Sequence, residues 1–539
     1  MRVSRKKLAI AGVLAGVAAV AAAVATAGPA TDLTGVPAAN TKSAGYAPAS
    51  VLSPELAQIV VAQGSTKVES PSTEVSYYGY DNDVLGPGGQ PLMVPTPVTP
   101  ATEAHKTEPD KNTYLVFEQG LTGADPAYND GTHFLFQGHE AGSPGYITRI
   151  NLDADAAHRV TVLATHDKDG NALADIDGST WDPWAKRLLF TTENQNAGTY
   201  AATPGYPSTV EDVAGALGRG GYEGIQNDSD GNIWIVEDIG GSNKPGTTAK
   251  VPNSFLYRYV PKNPGDLHNG KLQVLQVLHA DGTPITQVTQ AALQSADQVA
   301  LHTYGNEFDT RWVTIHDTAV DGHASFNANV AAKTGNGTPF KRPENGLFRP
   351  GSHFEDFYFD ETGDTNATSS ENACCGGWTS VMKLTQSDPS AAAGKLSLFY
   401  GGDAAHAGFD NNAFLSRNRL AFVEDAGDTL HGQRNALDSG FVLDVTTDYS
   451  DPANQPVRWL AEGRDASATI DSAAVPSGFG KNDGDNEITG LYVSDGDPTR
   501  DGILGNHIPH PWQEDGNWRV FYTQQHGDNV TYEVIRPRH

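Results

Sequence analysis

From about Asn112 onward, short β-branched and aromatic runs alternate with polar turns rich in Gly, Asp and Asn. Each run ends in an acid, an amide or a histidine. Residues 133–136 lead into Gln137-Gly138-His139-Glu140, residues 187–190 into Thr191-Thr192-Glu193-Asn194, and residues 233–236 into Glu237-Asp238. The pattern returns before Asp360-Glu361, before Glu424-Asp425 and before Thr523-Gln524-Gln525-His526. Runs of this length and composition, bounded by turn residues, are strand signals. Helical periodicity is scarce, and residues 208–217 and 289–298 are the best helix candidates. An all-β chain is expected: a sandwich, a barrel or a propeller. About 430 residues of such units exceed an ordinary sandwich. Glu140 and Glu193 lie 53 residues apart and Glu193 and Asp238 lie 45 apart, close to the length of a propeller blade. Equivalent strands of successive blades run side by side around one channel, so acids at their ends would converge. Asp and Asn after a strand also make turns, but Glu and His have no such advantage.

The first residues follow a different pattern. Arg2, Arg5, Lys6 and Lys7 precede an apolar run over 8–25, and Ala25-Thr26-Ala27 has small residues at the cleavage spacing. This predicts a signal peptide over 1–27, a mature start near Gly28 and a product outside the cytoplasm by the Sec or the twin-arginine route. A membrane anchor is the rival reading of the same run; after cleavage no stable membrane insertion is expected. Residues 28–110 are rich in Pro, Ala, Thr and Ser with one strand-like patch at 73–80. They are expected to be a mobile lead-in or to donate a strand to the main domain, 111–539.

Charge narrows the function. Lys plus Arg number 36 against 65 Asp plus Glu, a formal net charge of −29. Such a chain lacks the cationic surface that phosphate-backbone binding needs, so nucleic acid is excluded as a partner. The 2 cysteines, adjacent at Cys374 and Cys375, exclude a disulfide scaffold, a Cys-rich zinc module and an iron–sulfur protein. They form a vicinal disulfide or stay reduced. No Gly-x-Ser-x-Gly elbow, phosphate loop or dinucleotide fingerprint occurs, and His139-Glu140 lacks the second His of a zincin helix. Asp360-x-x-x-Asp364-x-Asn366-x-x-x-x-Glu371 has part of a calcium-loop spacing, with Thr365 where the loop needs Gly. Asp483-x-Asp485-x-Glu487 and Asp495-x-Asp497 are further oxygen-rich clusters.

Several short motifs, taken in order, resemble the secreted PhoX-type alkaline phosphatases. Gly138-His139-Glu140, Thr191-Thr192-Glu193-Asn194, Tyr222-Glu223-Gly224 and Glu237-Asp238 are similar to strand ends of that family, and Arg342-Pro343-Glu344 matches its Arg-Pro-Glu. Asp410-Asn411-Asn412 with Glu424-Asp425, Glu487-Ile488-Thr489-Gly490 and Gln525-His526-Gly527 complete the order. The resemblance covers most of the chain after about residue 110. It implies a six-bladed propeller with calcium and iron in its central channel; the strand repeat itself predicts one propeller closed by pairing a strand near one terminus with one near the other. The resemblance also implies that Glu140, Glu193, Glu223, Asp238, Glu344 and Glu487 hold metal, and that Arg342 contacts the phosphoryl group of a small phosphate ester.

An acidic protein that handles an anionic ester needs bound cations or a placed arginine, and Arg offers a planar fork to phosphate. Two residues before Glu344, Arg342 would share its face of an extended strand; an ordinary salt bridge is the bland alternative. One departure stands out: the family's cysteine ligand to iron is Thr191 here, and a hydroxyl is a poor ligand for ferric iron. Calcium is therefore the expected cofactor and iron a doubtful one. Three functions remain open: a secreted, monomeric, metal-dependent phosphomonoesterase, a propeller hydrolase of another ester class (phytase-like or lactonase-like), and a calcium-stabilised binding protein without turnover.

Overall fold

The computed structural model describes residues 32–38, 50–85, 88–91, 104–463, 487–513, 517–526 and 528–537. The expected signal peptide and the acids Asp483 and Asp485 lie outside the described residues. Among the described residues, six antiparallel units of four strands follow one another around a ring. The first blade is Thr113–Val116, His133–Gly138, Ile147–Asn151 and Val160–Ala164. The second is Ile176–Asp182, Arg187–Thr192, Tyr200–Ala202 and Val210–Asp212. The third runs Tyr222–Asn227, Ile233–Glu237, Leu256–Pro261 and Gly270–Val277, and the fourth Pro343–Phe348, Asp356–Glu361, Ser380–Gln386 and Ala393–Gly401. Phe409–Phe414, Arg419–Glu424, Ser439–Asp444 and Val457–Ala461 form the fifth. The first-named strand of each blade is innermost. These inner strands pack against their neighbours in sequence, and that of the sixth blade, Ile488–Ser494, returns to that of the first. The all-β propeller expected from the strand pattern is the fold of the chain.

The blades have two buried faces, which is why their strands read as unbroken apolar runs rather than alternating ones. In Ile233–Glu237, Ile233 and Ile235 enter the core between the second and third blades, whereas Trp234 and Val236 enter the core between the third and fourth. In Arg419–Glu424, Leu420 and Phe422 face one inter-blade core and Ala421 and Val423 the next. The side-chain period of two thus splits each run between two cores.

The sixth blade is closed by the chain's beginning. Ile488–Ser494, Arg519–Gln524 and Val530–Ile535 are completed by Ala57–Ala62, which lies antiparallel along Val530–Ile535. Val51–Leu52 adds a fifth strand to the fifth blade. The patch at 73–80 makes only the small hairpin of Val75–Tyr77 with Tyr80–Asp81, so the donated strand lies upstream of the expected one. Closing the ring in this way removes an open sheet edge.

Two further features shape the site. Phe308–Asp317 pairs on one side with Gly270–Val277 and on the other with Ala393–Gly401, joining the third and fourth blades into one nine-stranded sheet. The segment after Ile488–Ser494 crosses the far end of the channel: Pro498 accepts a hydrogen bond from Trp181 Nε1, Ile503 joins the core between the third and fourth blades, and Gly505 lies against Phe348. The expected helices are displaced. Residues 210–212 are the outer strand of the second blade, leaving a helix only over Ala214–Leu217. Ser295 caps a helix over Ala296–Leu301 by accepting from Gln298 N–H, so most of residues 289–298 precede it.

Candidate metal centre

Each blade delivers one acid at the start of its inner strand. Asp177, Glu223, Glu344 and Asp410 are the second residues of theirs, Glu487 immediately precedes the sixth, and Asp110 stands three residues before the first. A recurring β-bulge lies at this point. Tyr222 and Ile225 pair with Glu237 and Ile235, so three steps on the inner strand oppose two on its neighbour. The same surplus occurs between Ile176 and Ser179, Pro343 and Gly346, Phe409 and Asn412, and Thr489 and Tyr492. A bulge bends the strand and re-aims the extra residue; in the second to fifth blades that stretch contains the acid. The inner strands also approach closely here. A Cβ on Gly178 would sit 2.2 Å from the Glu223 carbonyl oxygen, and one on Gly224 would sit 2.9 Å from Asn345 Cα. Side chains at 178 and 224 would force the ring apart.

The second strands supply the remaining acids by alternation. Glu237 points into its blade, accepting from Phe255 N–H and Tyr257 O–H, while Asp238 faces the channel. Glu424 is likewise held inside by Ser439 N–H and Arg434. Glu140 and Glu193 occupy positions corresponding to Asp238 on the first and second blades.

Three groups of carboxylates result, each with ligand oxygens within 4.8 Å of one another: Asp110, Glu140 and Asp177; Asp177, Glu193 and Glu223; and Glu223, Asp238 and Glu344. Shared Asp177 and Glu223 link them into one arc from the first blade to the fourth. Burial pushes the carboxyls of Glu140, Asp177, Glu223, Glu344, Asp410 and Glu487 well above the usual range, and the neighbouring acids push them further. Asp110 is pushed up to about 6, mainly by burial. Asp238 Oδ1 and Asp410 Oδ2 are buried without a hydrogen-bond partner among the described residues. A crowd of hard oxygen donors with orphaned lone pairs fits a hard divalent cation such as calcium.

Arg342 and Lys111 enter the same space, and Lys250 stands near Asp238 and Glu344. Arg342 Nε lies 2.8 Å from Asp238 Oδ2 and Nη2 3.3 Å from Glu344 Oε1. Burial works against its charge, but Asp238 and Glu344 outweigh that and hold its pKa above the usual arginine value. Arg342 reaches Glu344 by a different route from the one its spacing suggests. Its φ is +55°, so it is a left-handed residue ahead of Pro343–Phe348 rather than part of an extended strand. Lys111 Nζ, donating to Asn411 Oδ1 at 3.0 Å and Leu491 O at 3.3 Å, is pushed down to about 8 by burial, with Asp410 and Asp110 opposing.

Of the residues singled out by sequence, Glu140, Glu193, Glu223, Asp238 and Glu344 fall within the three groups. Glu487 lies outside the three groups, and burial, then Asp425, Asp410, Glu140 and Asp110, raise its carboxyl. The sequence pattern does not single out Asp110, Asp177 or Lys111, and Asp410 and Asp425 carry only the ordered resemblance. Thr191 is fully buried, and its hydroxyl lies 2.6 Å from the Glu223 carbonyl. Cys374 and Cys375 form a vicinal disulfide. The partial calcium loop is not one: Asp364 and Glu371 both pair with buried Lys341 Nζ, and Asp360 turns away to accept from Asn345 N–H and Asn412 Nδ2. Asp495 pairs with His507, and Asp497 accepts from Thr499 N–H in a turn.

Beside Glu140 and Glu193 the channel mouth opens into a groove of about 700 Å³. No helix among the described residues is long and apolar enough to cross a membrane.

No family model matches the sequence, and no curated protein matches it. Among solved structures, PhoX of Pseudomonas fluorescens in complex with vanadate, a transition state analogue, superimposes with a TM-score of 0.53 at 12% identity. The match covers 94% of this chain and 98% of that one. A gluconolactonase of Xanthomonas campestris matches with a TM-score of 0.34 at 11% identity, over 89% of this chain and 100% of that one. At such identities the likeness to PhoX is one of fold, and the fold is a β-propeller.

Proposed function

We propose that the protein is a metal-dependent phosphomonoesterase of the PhoX type, working outside the cytoplasm as a monomer. The observation that supports this reading best is the arc of three linked carboxylate groups with a guanidinium at its end. Asp110, Glu140, Asp177, Glu193, Glu223, Asp238 and Glu344 would hold calcium ions. Their donors are all carboxylate oxygens, the set that hard cations take. Bound calcium supplies positive charge for phosphoryl oxygens and lowers the pKa of a water it holds. The chain's own residues set the rest. Asp238 and Glu344 fix the plane of Arg342 while 17% of its side chain stays exposed, which leaves an edge of the fork for a phosphoryl oxygen. Thr362 Oγ1, 2.7 Å from Glu344 Oε1, steadies the carboxylate that Arg342 also touches.

Iron of the PhoX kind does not fit. It requires a thiolate where Thr191 stands, and the Thr191 hydroxyl is engaged with a backbone carbonyl. No role is assigned to it.

Hydrolysis of a chromogenic phosphomonoester by the purified protein, with and without calcium and iron from neutral to alkaline pH, tests the reading. Calcium-dependent turnover is expected. Inactivity with every metal tried would leave a calcium-stabilised binding protein, and turnover of a lactone or carboxyl ester alone would name a different hydrolase.

A further inference from the structure

Between Ile233–Glu237 and Leu256–Pro261 the third blade raises a hairpin beside the end of the carboxylate arc. Asn243 and Lys250 pair across it, Lys244 N–H donates to Ala249 O, Val251 N–H donates to Ser242 O, and Gly246 makes the turn at φ +73°. A side chain on Gly241 would run into the Val251 carbonyl, so the two limbs meet tightly at the base. The hairpin is tied at two points to the segment that carries Arg342. Asp364 Oδ1 accepts from Lys250 N–H at 2.9 Å and from Lys341 Nζ at 2.9 Å, and Ser254 pairs with Phe340. Ala249 and Val251 are buried, and strand alternation turns Lys250 the other way. The charges that act on its ammonium are Arg342, Asp238, Asp364 and Glu344, and Lys250 acts in turn on Asp238.

Lys341, Arg342 and Lys250 stand together here but are matched differently. Lys341 is buried against Asp364 and Glu371, and Arg342 lies on Asp238 and Glu344. Among the described residues the Lys250 ammonium has neither an ion pair nor a hydrogen bond. An ammonium whose only task was to balance the acids would sit on one, as Lys341 does. A calcium ion held by Glu223, Asp238 and Glu344 shifts the balance further, because with Arg342 and Lys250 it outweighs the three carboxylates. A half-buried surplus of positive charge calls for an anion. The two side chains offer that anion different things, a planar fork and a compact point charge.

We infer that Lys250 and Arg342 together hold the phosphoryl group, with Lys250 a substrate-binding residue on a fixed hairpin, and that the pair selects dianionic phosphate. A phosphomonoester carries close to two negative charges above neutral pH, whereas a diester has lost its second ionisable oxygen. Monoesters are the substrate class that both cations balance, and a diester leaves one of them unmatched. The inference rests on the phosphatase reading and adds to it a residue that no motif in the sequence marks.

The test uses the calcium-loaded full chain beside Lys250→Met, Lys250→Gln and Lys250→Arg. Calorimetry measures the binding of inorganic phosphate, metal analysis measures calcium, and kcat/KM is compared for para-nitrophenyl phosphate and the corresponding bis-aryl diester. The natural chain should bind phosphate and prefer the monoester. Lys250→Met and Lys250→Gln should each weaken phosphate binding by about tenfold and lower monoester kcat/KM by a similar factor, with diester turnover falling less and calcium content held. Lys250→Arg should recover most of the loss, since it restores the charge. Unchanged phosphate affinity in a neutral variant would overturn the inference. So would a loss of calcium from it, which would make Lys250 a prop for the cation site, and so would equal use of the diester by the natural chain. In each of these cases, turnover of the monoester by the natural chain leaves the phosphatase reading standing. A natural chain that neither binds phosphate nor hydrolyses either ester would bring down both.

Discussion

The hydroxyl of Thr191, at the end of the second blade's second strand, lies 2.6 Å from the carbonyl of Glu223 on the innermost strand of the third. A side chain of one blade therefore grips the backbone that carries a shared carboxylate of the next. Thr191→Val keeps the shape but strands a buried carbonyl, at a cost of about 1–3 kcal/mol. Denaturant unfolding should show that loss. Thr191→Cys places sulfur beside Glu223, and metal analysis should then find more iron than in the natural chain. Identical metal content in the two proteins would mean that position 191 does not reach the cations.

Arg342 and Glu344 should separate on substitution. Arg342→Lys keeps the charge but loses the fork, so turnover should fall by about tenfold to a hundredfold while calcium content holds. Glu344→Gln replaces a carboxylate with a weaker neutral ligand, and calcium content should drop along with activity. An Arg342→Lys enzyme as active as the natural one would remove Arg342 from the reaction.

Calcium removal should lower the melting temperature, with a pH dependence whose sign follows from the channel carboxyls. Glu140, Asp177, Glu223, Glu344, Asp410 and Glu487 have folded values well above their unfolded ones. In the metal-free protein they are protonated at low pH at little cost. As pH rises above the unfolded carboxylate range, near about 4, the unfolded chain loses protons that the folded one retains, and stability falls. Calcium binds the ionised form and cancels that penalty. The gap between calcium-loaded and calcium-free melting temperatures should widen from pH 5 to pH 8. A constant gap would argue against cations among these groups.

Much of this could be read from the sequence. Runs such as Ile233–Glu237 announce strands because both blade faces are buried, and Glu140, Glu193 and Asp238 stand close to one blade length apart. Asp177 was illegible for a local reason: Asp175-Ile176-Asp177-Gly178 looks like a turn, and only the bulge against Phe190 and Thr192 shows that it aims an acid inward. Asp364 and Glu371 looked like calcium ligands because their neutraliser, Lys341, is distant in sequence. Ala57–Ala62 was hidden by the Pro- and Ala-rich composition around it, and its partner strand lies near the opposite terminus.

That strand carries its own prediction. A chain lacking residues up to Gln63 has no outer strand for Val530–Ile535 and leaves its ladder groups unpaired. Its melting temperature should fall, and it should associate through the exposed edge, as light scattering would show. A monomeric truncated protein with the stability of the full chain would mean that closure contributes nothing.

Seen as a mechanical object, the ring has unequal seams. Phe308–Asp317 stitches the third and fourth blades edge to edge by a continuous ladder of backbone hydrogen bonds, whereas the first and second share apolar packing and separate backbone bonds, including those from Gly145 N–H to Leu173 O, Ile176 N–H to His139 O and Ser208 N–H to Leu163 O. The group formed by Glu223, Asp238 and Glu344 therefore straddles a seam closed by a ladder, and the group formed by Asp110, Glu140 and Asp177 one closed by scattered bonds. Fewer bonds across the second seam make it the one expected to open first. Cations held at the two ends of the same carboxylate arc would consequently leave at different rates, the one by the first blade first.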